Sequence, residues 1–218
     1  MPSSGIDHLV ITASSLDAGK EMVYGALGVW PQGGGEHARM GTHNLLLRLG
    51  PKAYLEVIAI NPASPAPDRS RWFELDGKAQ NRSPVLATWV ARCDDIHLAR
   101  ATFSSSHGDM ESMSRGDLRW SITIPQDGSM PFDGVAPTLI KWQTSDHPAS
   151  RLEDQGCTLL RLEGYHRDAA RINDMLTNIG FDGEFSVVPD HHPHLVAQIQ
   201  TPHGLRELTG LAVQGQCG

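Results

Sequence analysis

Apolar and polar positions repeat one grammar three times along the chain. In the first stretch, Ile6 to Thr12 reads as an apolar strand, and Ser15-Leu16-Asp17 offers a helix N-cap. Leu16, Val23 and Leu27 recur near the helical period, with Met22 and Ala26 beside them, and Gly28 is a natural stop. Three strands are expected next: a short one over Val29–Gln32, then Thr42–Leu49 and Tyr54–Ile60. Glycines 33, 34, 35 and 41 and the pair Gly50-Pro51 punctuate them. The C-terminal stretch repeats the pattern. Thr158–Leu162 is a strand, and Asp168 opens a helix with Ala169, Ile172, Leu176 and Ile179 on one face, closed by Gly180. Phe185–Val188, Leu195–Gln200 and Leu205–Leu208 are short strands. A less regular copy lies between. Val85–Ala91 is a strand, Asp94-Asp95 cap a helix carrying Ile96, Ala99 and Phe103, and strands follow near Leu118–Ile124 and Thr138–Gln143.

Repetition at a period of some tens of residues is a fold-level signal. It predicts an α+β fold of βαβββ modules over 5–61, 84–144 and 156–210, all within one domain. One module leaves a sheet face and a helix stripe uncovered, so two must pair into a curved mixed sheet, a cup with helices on its outer face. The pattern does not select which two of the three pair. Pro62–Arg71 and Ser145–Gln155 read as exposed linkers.

Strand alternation sorts side chains by face. In Thr42–Leu49 the row His43, Leu45, Leu47, Leu49 should pack on the helix, which turns Thr42, Asn44 and Arg48 into the cup. In the first strand Leu9 and Ile11 form the helix row, leaving Ile6, His8 and Val10 inside. Glu56 is the most telling residue, because a carboxylate within Tyr-Leu-Glu-Val-Ile-Ala-Ile is costly to bury alone. It needs water, a cation, a metal or a hydrogen-bonded ligand beside it. His8 and Glu56 then share one space, and imidazole with carboxylate is a normal donor pair for a divalent metal such as Zn, Ni, Fe or Mn. Glu207, in the last strand of the third module, can be a third ligand if modules one and three share the cup. The position matching His8 there is Leu159 or Leu160, and the one matching Glu56 in the middle module is Lys141, so neither adds a donor. The plainer alternatives are a cross-strand Arg48–Glu56 ion pair, a solvated Glu207, and a hydrogen-bonded structural His8.

Composition narrows the classes. The 218 residues carry a net charge of −7 with no basic stripe, which argues against a nucleic-acid surface. Three cysteines, Cys93, Cys157 and Cys217, are too scattered for a disulfide framework or a CxxC site. The segment Met1 to His8 lacks a charged start and apolar run, and no stretch of about 18 apolar residues appears; no membrane contact and a cytoplasmic location are the expectations. His191-His192-Pro193-His194 reads as an exposed loop that picks up adventitious metal. Gly33-Gly34-Gly35 neither follows a Rossmann strand nor opens a helix, so it is no phosphate cradle.

Asp7-His8-Leu9-Val10, Gly33-Gly34-Gly35-Glu36-His37, Gly41-Thr42-His43-Asn44 and Tyr54-Leu55-Glu56-Val57-Ile58 resemble the opening of the glyoxalase-like branch of the vicinal oxygen chelate superfamily. Arg115-Gly116-Asp117-Leu118-Arg119-Trp120, Pro137-Thr138-Leu139-Ile140-Lys141-Trp142 and His147-Pro148-Ala149 resemble its middle, so the likeness runs from about Gly5 to Gly210. It implies βαβββ modules and a cup that commonly holds a divalent metal on a first-strand His and a last-strand Glu, roles that match His8 and Glu56. Activities in the superfamily include lyases, epimerases, other isomerases, dioxygenases and thiol transferases, and some members bind drugs without metal. Two functional expectations follow. The leading one is a small-molecule enzyme in which a metal on His8 and Glu56 acts as Lewis acid while Glu56 or His37 moves a proton. The alternative is a metal-free binding protein in which Thr42, Asn44 and Arg48 orient the ligand. A homodimer is compatible with either. An interaction module without a small-molecule site is a third, weaker reading, disfavoured by the polar cluster in the cup.

Overall fold

The computed structural model describes residues 4–77, 83–102, 107–144 and 146–210; Phe103, Ser145 and Cys217 lie outside them. Strand β1 (Ser4–Thr12) leads into helix α1 (Leu16–Leu27). Ser15 caps the helix by accepting the Ala18 N–H, and Gly28 ends it with φ 72°, a left-handed turn that a side chain would resist. Strands β2 (Gln32–His37), β3 (Thr42–Arg48) and β4 (Tyr54–Ile60) complete the first module. The second contains β5 (Val85–Cys93), α2 (Ile96–Thr102), β6 (Asp109–Arg115), β7 (Leu118–Ile124) and β8 (Thr138–Trp142). The third contains β9 (Thr158–Tyr165), α3 (Ala169–Asn178), β10 (Phe185–Val188), β11 (His194–Thr201) and β12 (Gly204–Thr209).

Two departures from the sequence reading have simple causes. Strand β2 runs through the glycine triplet rather than stopping before it, because residues without side chains carry no alternation to read. Strand β6, Asp-Met-Glu-Ser-Met-Ser-Arg, escapes notice because an edge strand half in water need not alternate.

The first two modules share one eight-stranded curled sheet of order β2-β3-β4-β1-β5-β8-β7-β6, joined where β1 and β5 pair antiparallel. The third module forms a separate sheet, β10-β9-β11-β12. Its apolar face packs behind β5: Leu162, Ile172, Leu195 and Ala197 join Leu9, Ile11, Val23, Leu47 and Trp89 in one core. Trp89 is fully buried, donates its indole N–H to the Val135 carbonyl at 2.9 Å and meets Phe181 edge-on. Covering the outer face with a helix and a further sheet leaves the concave face as the place for a ligand.

That concave face is not empty. The segment following β4 folds across it and inserts Trp72, Phe73 and Leu75 among Val10, Ile58, Val90, Ile122 and Ile140. Arg69 pairs with Glu111 at 2.7 Å and donates to the Pro125 carbonyl, and Arg39 pairs with the same Glu111. Phe73 and Glu74 adopt φ of 56° and 54°, conformations that cost non-glycine residues energy and persist where packing enforces them. So the Pro62–Arg71 stretch, read as a linker, leads directly into a plug over the cup.

Candidate functional site

Beneath the plug lies a cavity of about 30 Å³ lined by His8, His37, Asn44, Tyr54, Glu56, Trp72, Phe73, Arg115, Trp120, Ile122, Ile140 and Trp142. That volume accepts one or two waters. Most of its polar groups form one connected network, and all but Trp72 are placed by a strand.

The network begins at Asp7. The β1–β5 pairing shifts register between Ile6 and His8, so Asp7 sits at a bulge. A bulge re-aims side chains, and this one lets the adjacent Asp7 and His8 meet where simple alternation would part them. Asp7 is fully buried. Its Oδ1 lies 2.7 Å from His8 Nδ1, and its Oδ2 lies 2.8 Å from Trp142 Nε1 and 2.9 Å from His147 Nε2. Burial alone would raise its pKa, but hydrogen bonds from His147 and His8 outweigh that and hold the carboxyl well below the usual range. An ionised carboxylate only accepts, so His8 carries a proton on Nδ1 and turns Nε2 toward the cavity. Tyr54, opposite His8 in the β1–β4 register, stacks on its ring at 4.5 Å between centroids. Burial, then the charges of Asp7 and Glu56, push the Tyr54 phenol well above its ordinary pKa, so it stays protonated.

His8 Nε2 faces Glu56 Oε2 at 3.6 Å. Glu56 is 6% exposed, and its other oxygen accepts from Asn44 Nδ2. Asn44 Oδ1 in turn accepts from Gly35 N at 2.8 Å and Arg115 Nη1 at 3.1 Å. The glycine triplet has its explanation here. A Cβ on Gly34 would come within 2.1 Å of Asn44 Oδ1 and 2.5 Å of its carbonyl oxygen, so β2 approaches Asn44 this closely only without a side chain. Gly34→Ala should therefore cost about 1–3 kcal/mol by forced displacement of β2 or Asn44, read by urea denaturation. An unchanged midpoint would show the strand has slack.

His37 completes the network. Arg115 Nη1 lies 3.4 Å from His37 Nε2, and a guanidinium can only donate, so Nδ1–H points to Thr42 Oγ1 at 3.1 Å. Burial, opposed by Glu56 and aided by the Arg115 charge, lowers the His37 pKa to about 4. His37 is therefore neutral, with its Nε2 lone pair turned to Arg115.

The structure thus brings His8, Glu56, Asn44 and His37 to one cavity. Thr42 lies under His37, fully buried, and does not line it. Arg48 is a correction. It pairs across the strands with Tyr54, not Glu56, donates to the Gly50 carbonyl and faces Asp154 at 3.9 Å, because it sits where the strand leaves the sheet. Glu207 is another. It is exposed on β12 of the separate sheet, since modules one and two, not one and three, form the cup. By register, the position matching Glu56 in the middle module is Ile140 rather than Lys141, and that matching His8 is Val90. Sequence reading named no role for Asp7, Tyr54, Trp72, Arg115, Trp142 or His147. The available signal was that Asp7, Tyr54, Arg115, Trp142 and His147 lie within the motifs that carry the family resemblance; Trp72 had none.

As a metal centre this set is incomplete. His8 and Glu56 supply two donors, a stable divalent site generally uses three or four from the protein, and the opposite wall offers Ile122 and Ile140. Among the described residues no cluster of three His, Cys, Asp or Glu could hold an ion. Arg115 adds a positive charge to the same cavity.

Comparison with known proteins agrees with this architecture. A family model described as a glyoxalase-like domain matches residues 6–180. A hypothetical protein from Staphylococcus aureus superposes with a TM-score of 0.61 at 13% identity, covering 87% of each chain. Methylmalonyl-CoA epimerases give weaker likenesses. The Mycobacterium tuberculosis enzyme has a TM-score of 0.38 at 18% identity over 63% of this chain and 86% of that one. The Streptomyces coelicolor enzyme has 0.37 at 16% over 64% and 96%. No curated protein matches. Among the described residues no helix is long and apolar enough to cross a membrane. With four-fifths of its length matched by the family model, the chain belongs to the glyoxalase-like domain family.

Proposed function

We propose that this chain is an enzyme that moves a proton on a small molecule beside a carbonyl group, an isomerase or lyase reaction. The observation behind it is the buried pairing of Glu56 Oε2 with His8 Nε2 in one enclosed cavity, with His8 held in a single tautomer by Asp7. Two titratable groups in contact, one oriented by a third, are the arrangement that general acid–base transfer needs. Glu56 takes the proton from the carbon next to the carbonyl. The C–H electron pair moves into the adjacent C–C bond, and the carbonyl pair moves onto oxygen as an enolate. Return of the proton to the face it left restores the substrate, and delivery to the opposite face isomerises the carbon; if instead a group on the neighbouring carbon leaves with its bonding pair as the carbonyl re-forms, the reaction is an elimination. His8 Nε2, backed by Asp7, exchanges protons with Glu56 between steps. Asn44 keeps Glu56 aimed by holding its second oxygen. Modules one and two supply the site, and the third supports it from behind as part of one domain.

The direct test is deuterium exchange in D2O, read by proton NMR on small 2-oxo and 3-oxo acids. Wild type should exchange the carbon-bound proton next to the carbonyl of at least one of them. Glu56→Gln, which conserves volume, should lower that rate by about 10²–10⁴-fold with its fold intact. Binding without exchange across the set would favour the metal-free binding protein instead. A metal-assisted version draws on the same pair, because Asp7 on His8 Nδ1 and Asn44 on Glu56 have the form of outer-shell partners of metal ligands. Elemental analysis after purification without a His-tag column separates the two. Stoichiometric metal that Glu56→Gln lowers would favour the metal, and substoichiometric metal in both proteins with exchange intact in wild type would remove it.

A further inference from the structure

We infer that the ligand of this cavity is a small organic anion whose carboxylate is held by Arg115 and the indole N–H of Trp72. The inference rests on the site proposed above but concerns what is recognised rather than what reacts.

Arg115 lines the cavity from the end of β6. Among the described residues no carboxylate pairs with it. Its hydrogen bonds there go from Nη1 to two neutral acceptors, Asn44 Oδ1 and His37 Nε2. A guanidinium has five N–H donors in a planar fork matched to a carboxylate, so most of that capacity is left for a ligand. The neutral state of His37 matters here, because an imidazolium at 3.4 Å would repel Arg115 rather than hold it.

Trp72 provides an independent sign. It is 4% exposed and lines the same cavity, yet its Nε1 is buried with no hydrogen-bond partner. Leaving such a donor unsatisfied is costly, and native proteins rarely do so without a reason. Trp120, Ile122, Ile140 and Phe73 make one part of the wall apolar, and His8, Asn44, Tyr54 and Glu56 line the rest. A ligand that satisfies the site therefore presents carboxylate oxygens to Arg115 and Trp72 and turns its remaining polar end to His8 and Glu56. A small oxo acid does this. It also accounts for the plug: Trp72 rides on the segment following β4, so a bound carboxylate would link that segment to β6. A ligand larger than one or two waters needs the segment to shift outward, since the cavity has room for no more.

The test measures binding of pyruvate, acetoacetate and malonate, each against its methyl ester, by calorimetry or NMR at millimolar concentration. At least one acid should bind, with its ester weaker by about 10- to 100-fold. Arg115→Lys keeps the charge but loses the fork. It should weaken the acid by about tenfold or more while leaving the ester unchanged, and that selectivity is one a merely structural role would not produce. Trp72→Phe should weaken the acid by about tenfold or more, the worth of one hydrogen bond to a charged group. Esters binding as well as acids, acid affinity unmoved by both variants, or no binding by any acid would each overturn the inference. Acids that bind selectively but do not exchange deuterium would leave carboxylate recognition standing and refute proton transfer, so the two readings fail separately.

Discussion

Replacing Asp7 with Asn should be the most damaging single change at the site, lowering exchange by about 10³–10⁴-fold and stability by about 2–4 kcal/mol. The reason is the donor count. Asp7 is fully buried and receives three N–H groups, from His8, His147 and Trp142. Asparagine offers one acceptor oxygen and an amide NH2 that must confront at least one of those donors. The buried donor left over loses its partner, and His8 loses the acceptor that fixes its tautomer, so Nε2 no longer faces Glu56 in a defined state. Urea denaturation reads the first effect and deuterium exchange the second. His147→Gln serves as the control, because it removes one donor to Asp7 without touching the Asp7–His8 bond; it should cost far less exchange than Asp7→Asn. Equal losses from both would mean that Asp7 acts through general packing rather than through His8.

The second large effect is on stability against pH. Burial lowers two histidines to about 4, His37 under the plug and His107 just before β6. In the unfolded chain each titrates near 6.5. Between those values the unfolded chain holds more protons than the folded one, so stability rises with pH and falls on acidification through that window. Each histidine should remove about 2 kcal/mol at pH 5 and about 3 kcal/mol at pH 4 relative to pH 7.5. Together they account for a large part of an ordinary domain's stability. Urea midpoints at pH 7.5, 6, 5 and 4, about where these groups change, test it. His107→Gln should flatten the curve by roughly half, since its titration is removed while His37 remains. A profile as steep as wild type in that variant would assign the acid sensitivity elsewhere. Asp7 acts in the same direction at lower pH, because its folded carboxyl is held down: its contribution is full above the ordinary carboxyl range and is lost progressively as pH falls from there toward the lowered folded value.

Much of the fold was written in local pattern. Leu9 and Ile11 against His8 and Val10, and Leu45 and Leu47 against Asn44, were sorted to the right faces because a strand with one buried face must alternate; Ile6, expected in the cup, packs with the outer core because the bulge at Asp7 reverses the alternation before it. Ser15 and Gly28 marked both ends of α1 because helix ends have specific chemical needs. Glu56 stood out because a carboxylate inside an apolar strand requires a partner, and the structure supplies Asn44 and His8.

Other features depended on tertiary structure for identifiable physical reasons. Which modules share the cup turns on long-range pairing of β1 with β5, and the local pattern of three repeated modules does not reveal it; Glu207 lies outside on that ground. The bulge that brings Asp7 beside His8 breaks the alternation on which a face assignment depends. Trp72 and Arg115 reach the cavity from a non-repetitive segment and from a polar edge strand, where periodicity carries no information. Local side-chain chemistry therefore determined the modules and the Glu56–His8 half of the site. The network around it, from Asp7 to Arg115, was decided by contacts between residues as far apart as Asp7 and His147, whose proximity exists only in the folded chain.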